Sequence, residues 1–520
     1  MTTPSPATLS ALLARAAAEA PGDVAFRYRD EAVTYGDWHD LSGAVAAGFA
    51  ARGIGRGDVV ALLLPSTPLY LVCYLAAARL GAVTTGINVR YRRGEIRHIL
   101  ARSGAALLVG VDAWHGTDFR EALAAVRGDV PALREAVWVG AGELRAGTRD
   151  AVARHLAAGP PAADVAEPED AAAIVWTSGT TGVPKGAWYA HASLTALAEI
   201  ETRRHPDGLP RGQKHLAAGL SFAHVGTMAR IAVQLLGRGH TIIHDGFDVE
   251  AVLRTIEAER LAHFGAIPTQ AIMLLDHPRR EAYDLSCLRT VLLGGAPSSP
   301  ALIRRVQETL GVQVAVRYSS TEVGIATGTL PGDSIERLAT TVGVPTPGVE
   351  LRIVGDASRP LPAGETGQVV VRSPATMRGY WRDPEATART LDAERWVHTG
   401  DLGWLDADGY LHLQGRRSEM FIRGGFNVYP AEIEDRLAHH PKVARAALVG
   451  MPDATFGEVG WAFVVPVAAA TPPTLQELRD WVGAELASFK RPDGLTVLRE
   501  MPVTPMFKVD KRALADLAKR

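Results

Sequence analysis

The chain has 520 residues, of which 47% are apolar, and this length predicts several domains or subdomains with ample material for buried cores. Its net charge of −2, with acidic and basic residues interspersed, excludes an extended basic surface for nucleic acid or an anionic membrane. The cysteines, Cys73 and Cys287, are distant and lie in apolar surroundings, which favours reduced thiols and a cytoplasmic location over a disulfide. No Cys/His spacing in the sequence is typical of zinc.

The N-terminal segment predicts an amphipathic helix over Ala7–Ala20 rather than a secretory signal, because it lacks a basic leader and has charges within its apolar pattern. A β-hairpin is predicted next, around the turn Arg29–Glu31. The segment Ala61–Ala78 has no charged residue and is long enough to suggest a membrane span. Pro65 and Pro68 interrupt this segment, so we predict a short strand followed by a helix instead.

Strand-like and helical segments then alternate as far as Val316. This alternation predicts parallel sheets with helices on both faces, in two doubly wound units. The predicted strands are Val59–Leu64, Ala82–Thr85, Ala106–Val111, Ala171–Trp176, Lys214–Leu220, His240–His244, Ala262–Ile267, Arg289–Leu293 and Val312–Val316. The predicted helices are Thr67–Leu80, Arg93–Ala101, His191–Ile200, Met228–Leu236, Val249–Ala258, Thr269–Leu275 and Pro300–Thr309.

A loop dense in glycine and hydroxyl residues follows the strand Ala171–Trp176; it reads Thr177-Ser178-Gly179-Thr180-Thr181-Gly182-Val183-Pro184-Lys185-Gly186. A strand, such a loop and the helix His191–Ile200 form a layout in which backbone N–H groups and a positive helix end bind phosphate. An exposed turn rich in small polar residues is the alternative. The chain has seven lysines and 48 arginines, so Lys185 indicates a need for a compact cation among phosphate oxygens.

Two further turns follow predicted strands, at the sheet edge where open α/β folds bind ligands. The first, Leu292-Leu293-Gly294-Gly295-Ala296-Pro297-Ser298, either leaves a slot for a flat ring or is an ordinary strand-to-helix turn. The second is Arg317-Tyr318-Ser319-Ser320-Thr321-Glu322. Tyr318 offers an aromatic face, Thr321 a hydroxyl donor, and Glu322 a hard oxygen ligand for Mg²⁺. A polar surface loop is the alternative interpretation.

From Val342 onward the sequence becomes rich in strands and turns, with strands predicted at Glu350–Val354 and Gly367–Val371. Asp401 lies in a glycine-bounded turn, where a carboxylate either accepts from two ribose hydroxyls or forms only an Asx turn. The pattern changes again after Arg416. Short strands mixed with helices predict a separate small α+β domain over residues 417–520, which leaves residues 1–416 as the first domain.

These motifs and their order resemble the adenylate-forming superfamily, which includes acyl- and aryl-CoA synthetases, peptide-synthetase adenylation domains and firefly luciferase. The resemblance covers essentially the full chain, including the loop and helix Arg423–Glu434 and the tail Pro502–Arg512. It implies an α/β fold with a large N-terminal domain of doubly wound sheets plus a small β-rich subdomain. The C-terminal part is then a small, mobile α+β domain that carries a catalytic lysine.

The resemblance also implies roles for individual residues. Catalysis is assigned to Lys508, Thr321 and Lys185. ATP binding is assigned to Thr177, Ser178, Gly179, Thr180, Thr181, Gly182, Gly295, Ala296, Pro297, Tyr318, Ser319, Asp401 and Arg416. The acyl pocket is assigned to His224, Val225, Gly226, Gly294 and Ser320, with a satisfied core histidine as the alternative for His224. The remaining roles are magnesium binding for Glu322, the hinge for Ser418, and the thiol channel for Gly424, Gly425 and Phe426.

The implied reaction uses ATP and Mg²⁺ to convert a carboxylic acid into an acyl-adenylate, with release of pyrophosphate, and then forms a thioester with coenzyme A. Ser319, Ser418 and Phe507 depart from the residues that the family usually has, and Ser319 is expected to narrow the acyl pocket. Three alternatives stay open: transfer to a carrier protein, transfer to an amine or oxidation, and a homologue without the full reaction. The candidate pocket shows no evident buried charge, which disfavours an α-amino acid and leaves aryl, medium-chain and polycyclic acids open.

Overall fold

The computed structural model describes residues 7–177, 184–204, 209–295, 298–504 and 508–519. Within these ranges, no helix is long and apolar enough to cross a membrane. The helices are α1 Leu9–Glu19, α2 Tyr35–Ala51, α3 Pro68–Arg79, α4 Arg93–Ser103, α5 Phe119–Ala124, α6 Ala141–Ala146, α7 Thr148–His155, α8 His191–Arg203, α9 Val225–Gly237, α10 Val249–Glu259, α11 Pro268–Leu275, α12 Pro300–Leu310, α13 Ile335–Thr340, α14 Pro384–Thr390, α15 Pro430–Ala438, α16 Leu475–Gly483 and α17 Lys511–Ala518.

The strands are numbered in chain order. They are β1 Val24–Tyr28, β2 Glu31–Thr34, β3 Val59–Leu63, β4 Val83–Gly86, β5 Leu107–Val111, β6 Ala113–Trp114, β7 Thr117–Asp118, β8 Glu135–Val139, β9 Ala171–Trp176, β10 Gly186–Ala190, β11 Lys214–Ala218, β12 His240–His244, β13 His263–Ala266, β14 Thr290–Gly294, β15 Gln313–Ser320, β16 Gly324–Gly328, β17 Val344–Pro345, β18 Glu350–Val354, β19 Gly367–Arg372, β20 Gly379–Tyr380, β21 Val397–Leu405, β22 Leu411–Arg416, β23 Phe421–Arg423, β24 Phe426–Val428, β25 Val443–Asp453, β26 Gly457–Pro466 and β27 Gly494–Val497.

The largest sheet has seven strands in the order β20-β10-β9-β4-β3-β5-β8. From β9 to β8 the neighbouring strands are parallel. Strands β3, β4 and β5 are buried along their whole length, which explains why β3 and β5 are continuous apolar runs rather than alternating ones. The first predicted series of strands and helices is therefore confirmed.

The layout predicted around the glycine-rich loop is wrong in one respect. A strand, β10, lies between the loop and helix α8, and it pairs antiparallel with β9 through Gly186 opposite Trp176. The loop therefore joins two strands of a hairpin, and the N-terminus of α8 does not follow it directly. The apolar segment that forms β10 is short, so its periodicity did not separate it from the helix that comes next.

The second predicted series also differs from expectation, because its strands divide between two sheets. Strands β11 and β12 join β1 and β2 in a four-stranded sheet. Strands β13, β14 and β15 are parallel to one another, and the antiparallel strands β16 and β17 complete a sheet of five. The carboxyl ends of β14 and β15 lie side by side, with Gly294 opposite Arg317.

The β-rich region forms an antiparallel sheet of four strands in the order β18-β19-β21-β22, and the two strands predicted in this region are β18 and β19. Strand β21 carries Asp401 and strand β22 ends at Arg416, and these two residues are direct neighbours across the ladder. Ser418 follows in an exposed turn that leads out of this sheet.

Residues 421–518 form a sheet of β23 to β27 with α15, α16 and α17 packed against it. Helix α17 closes this unit, since Leu514 is fully buried in one cluster with Met451 and Phe463. Lys511 Nζ lies 2.7 Å from Glu419 Oε2 and 2.9 Å from Glu434 Oε1, so α17 is also tied to the segment after Ser418 and to α15.

Candidate active site

Asp401 is the most deeply buried acidic residue of the predicted site, with 6% of its surface exposed. The preceding Gly400 has φ +78°, a conformation that glycine adopts without strain, and it turns the carboxylate inward. Tyr318 donates a hydrogen bond to Asp401 Oδ2, and Arg416 Nε lies 3.2 Å from Oδ1. Burial raises the pKa of the Asp401 carboxyl, whereas the Arg416 charge and the Tyr318 hydroxyl act in the opposite direction.

Glu322 lies just beyond the end of β15, on the hairpin turn to β16. Its Oε1 accepts a hydrogen bond of 2.9 Å from the Tyr380 hydroxyl, and its Oε2 accepts one of 3.1 Å from Ser320 Oγ. Each carboxylate oxygen accepts one bond and keeps a lone pair for a hard cation. The described residues hold no group of three His, Cys, Asp or Glu side chains able to bind a metal. Glu322 therefore fits Mg²⁺ that is held mainly by phosphate and water oxygens.

Ser320 was predicted to line the acyl pocket; its hydroxyl donates to Glu322 Oε2 and accepts from the Glu322 N–H. Thr321, next in the turn, accepts a hydrogen bond from the Tyr189 hydroxyl through its backbone carbonyl. Burial raises the pKa of Tyr189 well above its usual value, and the Glu322 charge adds to this effect. Tyr189 therefore stays protonated and fixes the backbone of the turn.

Lys185 lies at the end of the glycine-rich loop. Thr177 N–H donates to Lys185 O at 2.9 Å, and Lys185 N–H donates to Thr177 Oγ1 at 3.3 Å, which closes the base of the hairpin. The Lys185 ammonium lies 5.2 Å from the centre of the Tyr380 ring. The hydroxyl of the same tyrosine donates the hydrogen bond to Glu322. The loop residues that were assigned to ATP binding lie outside the described residues; they are Ser178, Gly179, Thr180, Thr181 and Gly182.

Lys508 lies in the C-terminal unit, where Thr504 N–H donates to Lys508 O at 2.7 Å and Val503 forms an antiparallel bridge with Val509. Burial lowers the pKa of its ammonium, the Arg416 charge lowers it further, and Glu322 and Asp401 oppose this shift. Lys508 is therefore within electrostatic range of two acidic residues that come from separate sheets of the large domain. Lys508 is an exposed residue of the structure.

His224 precedes the first turn of α9 and also lies in the field of Lys508. Burial lowers the pKa of His224 to about 4, and the Lys508 charge contributes to the shift, so the imidazole is neutral at neutral pH. Gly226, in the first turn, is exposed, and a Cβ added to it would meet no atom within 4 Å. Val225 is half-buried. The start of α9 thus borders an open space beside the cleft.

The glycine turn after β14 also faces open space. Gly295 is exposed and has φ +78°, and the nearest atom to an added Cβ would be a methyl group of Ile267 at 3.4 Å. Gly294 is half-buried, and Ser319 on the neighbouring strand β15 is exposed. Ala296 and Pro297 lie outside the described residues.

The predicted thiol-channel residues lie on a hairpin of the C-terminal unit. Gly424 and Gly425 have φ of +56° and +88°, which supports the tight turn between β23 and β24. Gly424 N–H donates to Phe456 O at 2.8 Å, and the Phe426 ring stacks on Phe489 with centroids 4.5 Å apart. The contacts of this hairpin are thus within its own unit, whereas Lys508 reaches the cleft.

Sequence reasoning missed three residues around this cleft. Tyr380 connects Lys185 with Glu322, and Tyr189 holds the turn at Thr321, yet neither tyrosine lies in a recognisable motif. Arg230 on α9 is exposed to a cavity that runs along that helix. No sequence pattern distinguishes it from the other 47 arginines.

Comparison with known proteins now defines the class. Residues 13–381 match the family of AMP-binding enzymes, and residues 432–508 match the C-terminal domain of AMP-binding enzymes. Over 503 residues the chain is 35% identical to a feruloyl-CoA synthase of Amycolatopsis sp, with 96% of each chain covered. It is 36% identical to a 3-[(3aS,4S,7aS)-7a-methyl-1,5-dioxo-octahydro-1H-inden-4-yl]propanoyl:CoA ligase of Mycobacterium tuberculosis, over 98% of this chain and 99% of that one.

Among solved structures, ATP-bound MatB from Rhodopseudomonas palustris superimposes with a TM-score of 0.86 at 29% identity, over 99% of both chains. The chain belongs to the AMP-binding enzymes of the adenylate-forming superfamily and is of the acyl-CoA synthetase type. The expected family, fold class, reaction class of acid–thiol ligase, and use of ATP, Mg²⁺ and CoA are thereby confirmed. The assignments of individual residues stay predictions.

Proposed function

We propose that the cleft between Asp401, Glu322 and Lys508 carries out the adenylation step of an acyl-CoA synthetase. An oxygen of the substrate carboxylate attacks the α-phosphorus of ATP, the bond to the β-phosphate oxygen breaks, and pyrophosphate leaves with the electron pair. The observation that carries this proposal is the position of Lys508, which lies in the same electrostatic field as Glu322 and Asp401. A cation there reduces the repulsion between the two anions that must meet.

In this proposal, each of the other residues contacts a different part of the nucleotide. Asp401 accepts hydrogen bonds from the ribose hydroxyls, Arg416 contacts the same end of the nucleotide, and the Tyr318 ring packs beside adenine. Lys185 and the hydroxyls of residues 177–182 bind the phosphates. Thr321 contacts the α-phosphate. Mg²⁺ held by Glu322 supplies charge neutralisation for the phosphate oxygens.

The second half-reaction uses a different arrangement of the same chain. We propose a boundary between residues 1–416 and 417–520, with Ser418 as the hinge, and its position in an exposed turn between two sheets supports this role. Rotation withdraws Lys508 and presents Gly424, Gly425 and Phe426. The CoA sulfur then attacks the acyl carbonyl, AMP leaves, and the thiol proton passes to solvent. A cytoplasmic location also stays a prediction.

The decisive experiment separates the two half-reactions in a Lys508→Ala protein. Carboxylate-dependent ATP–pyrophosphate exchange is expected to fall by about 100- to 1,000-fold, as for the loss of other preorganised electrostatic groups. Thioester formation from a supplied acyl-adenylate and CoA is expected to persist, because Lys508 acts only in the first step. Full exchange activity in this variant would overturn the proposal.

A Lys519→Ala variant is the matched control. Lys519 belongs to the same tail, is exposed, and pairs only with Asp516 among the described residues. It should therefore keep both half-reactions.

A further inference from the structure

A cavity runs along helix α9, away from the cleft that holds Lys508. One wall is formed by the face of α9 that includes Thr227, Arg230 and Gln234, and the opposite wall by strand β11. On β11 the alternate residues His215 and Ala217 point into the cavity, as the two-residue period of a strand requires. Apolar residues make up most of the remaining lining, with Gln213 and Thr241 as further polar residues, so a mainly apolar space contains a few polar groups.

Arg230 is the charged residue of this lining. Its side chain is exposed to the cavity although protein surrounds it, and burial lowers the pKa of the guanidinium to about 10. Throughout the part of the chain that the structure describes, no hydrogen bond or ion pair is recorded for this guanidinium. A guanidinium that is partly desolvated by the surrounding protein and has no acidic partner offers a bound anion an attractive contact, because no contact within the protein already offsets the desolvation.

The neighbouring charges do not neutralise Arg230. Glu201 is the acidic residue whose charge acts on it, but Glu201 already pairs with Arg317 at 2.9 Å. The Arg317 charge lowers the pKa of both Arg230 and Arg204, so three guanidinium groups surround one carboxylate. His215, on the facing strand, adds no positive charge at neutral pH, since burial and the Arg230 charge lower its pKa well below its usual value.

The position of Arg230 along α9 relates it to the proposed acyl site. His224, which senses the Lys508 charge, lies six residues earlier, and a rise of 1.5 Å per residue places the two Cα atoms about 9 Å apart along the helix axis. The Cα–Cβ bond of a helical residue is tilted towards the helix N-terminus, so the Arg230 side chain starts out towards the end of α9 that carries His224. An acid that has its reacting carboxylate at Lys508 and that extends along α9 would approach Arg230.

We propose that Arg230 binds a second carboxylate at the far end of the acyl substrate, so that the enzyme prefers dicarboxylic acids to monocarboxylic acids of the same length. A carboxylate supplies two acceptor oxygens that match the two parallel N–H groups of a guanidinium. Its negative charge also offsets part of the excess positive charge of Arg204, Arg230 and Arg317, which share only the Glu201 carboxylate among the described residues. This inference rests on the proposed function, because it takes the cleft at Lys508 as the place where the other carboxylate reacts.

The test is ATP–pyrophosphate exchange with matched pairs of acids: hexanoic and hexanedioic, octanoic and octanedioic, and 3-phenylpropanoic and 3-(4-carboxyphenyl)propanoic acid. Wild-type kcat/KM is expected to be roughly 10- to 100-fold higher for the diacid of at least one pair, the effect of a charge-assisted hydrogen-bonded contact. Arg230→Met should abolish this preference by lowering kcat/KM for the diacid while leaving that for the monoacid unchanged or higher. The KM for ATP should not change.

An Arg254→Met variant serves as the control for loss of a helix arginine, because Arg254 is exposed on α10 and pairs with Glu250. It should keep the diacid preference. Equal turnover of both acids in every pair, or an equal loss for both in Arg230→Met, would overturn the role of Arg230 while the proposed function stands. A stronger preference for 5-oxohexanoic than for hexanedioic acid would likewise overturn a carboxylate in favour of a neutral acceptor. Absence of exchange with every acid would count against the proposed function itself.

Discussion

The Tyr318 hydroxyl donates a hydrogen bond of 2.5 Å to Oδ2 of Asp401, and this contact joins two separate sheets of the large domain. Tyr318 belongs to β15 and Asp401 to β21, so the bond fixes the distance between the turn that carries Glu322 and the strand that carries Asp401. Burial raises the pKa of the Tyr318 hydroxyl well above its usual value, with the Asp401 charge as a further cause, so it stays a donor.

Tyr318→Phe should weaken nucleotide binding. The change removes one donor to a buried carboxylate and allows the pKa of Asp401 to rise further, because the lost hydrogen bond lowers it. We expect the KM for ATP to increase about ten-fold, which corresponds to about 1.4 kcal/mol. Steady-state exchange kinetics at saturating acid measure this increase.

Tyr410→Phe is the matched control, since Tyr410 donates a similar hydrogen bond of 2.6 Å to Asp333. It removes the same chemical group from a tyrosine–aspartate pair outside the proposed site. An equal change of the ATP KM in both variants would contradict the specific role of Tyr318.

Arg445→Ala should slow adenylation selectively. Arg445 Nη2 donates to Thr269 Oγ1 at 3.3 Å, and this bond links β25 of the C-terminal unit to α11 of the large domain. The bond exists in the arrangement in which Lys508 faces the cleft, so its loss should reduce the population of that arrangement. We expect a fall of about five-fold in the exchange rate, equivalent to about 1 kcal/mol, with thioester formation from a supplied adenylate unchanged.

Thr269→Val removes the other partner of the same bond. If the link acts as described, the double variant should lose no more exchange activity than either single variant. Additive losses, or equal losses in both half-reactions, would show that the two residues act independently of this contact.

His191→Asn should reduce the sensitivity of the fold to acid. His191 is fully buried, Leu9 N–H donates to its Nδ1 at 3.2 Å, and burial lowers its pKa to about 4, with Asp170 opposing the shift. The unfolded chain, with a pKa of about 6.5, binds the proton first as pH falls. The stability that the neutral imidazole provides above pH 6.5 is therefore lost between pH 6.5 and 4, by about 3 kcal/mol in total.

Asparagine at this position keeps an acceptor for Leu9 N–H and does not titrate. The free energy of unfolding in urea, compared at pH 7 and pH 4.5, should therefore fall less in the variant than in the wild type. The other buried histidines titrate in both proteins, so the difference between the two pH dependences reports His191 alone. Identical pH dependences would contradict the assignment.

The type of most elements could be predicted from the sequence, because β3 and β5 are continuous apolar runs and the helices between them are bounded by proline or glycine. The partners of the strands could not. Periodicity defines the element that a segment forms, whereas pairing of β12 with β1, more than two hundred residues earlier, depends on packing of distant segments. The hairpin at Gly186 was missed for a related reason, since a short apolar segment before a helix has no period of its own.

The candidate site divides in the same way. Asp401, Glu322 and Lys508 were named from motifs, and their convergence in one electrostatic field is consistent with those predictions. Tyr380 and Arg230 were not named, because no local sequence motif marks them. Tyr380 matters through its hydrogen bond to the distant residue Glu322, and Arg230 through the cavity that it lines. The expectation that the acyl pocket lacks a charge needs revision if Arg230 acts as proposed.

The two ion pairs of Lys511, with Glu419 and with Glu434, have a consequence for folding during synthesis on the ribosome. Every strand of the large domain precedes Ser418, so its sheets can assemble while the rest of the chain is still being translated. The smaller unit must wait, because Leu514 and Lys511 supply part of its interior and one of its internal ties. A nascent chain that stalls before these residues emerge would therefore carry a folded large domain and a smaller unit whose apolar core lacks Leu514, and exposed apolar surface of this kind is what chaperones and proteases act on.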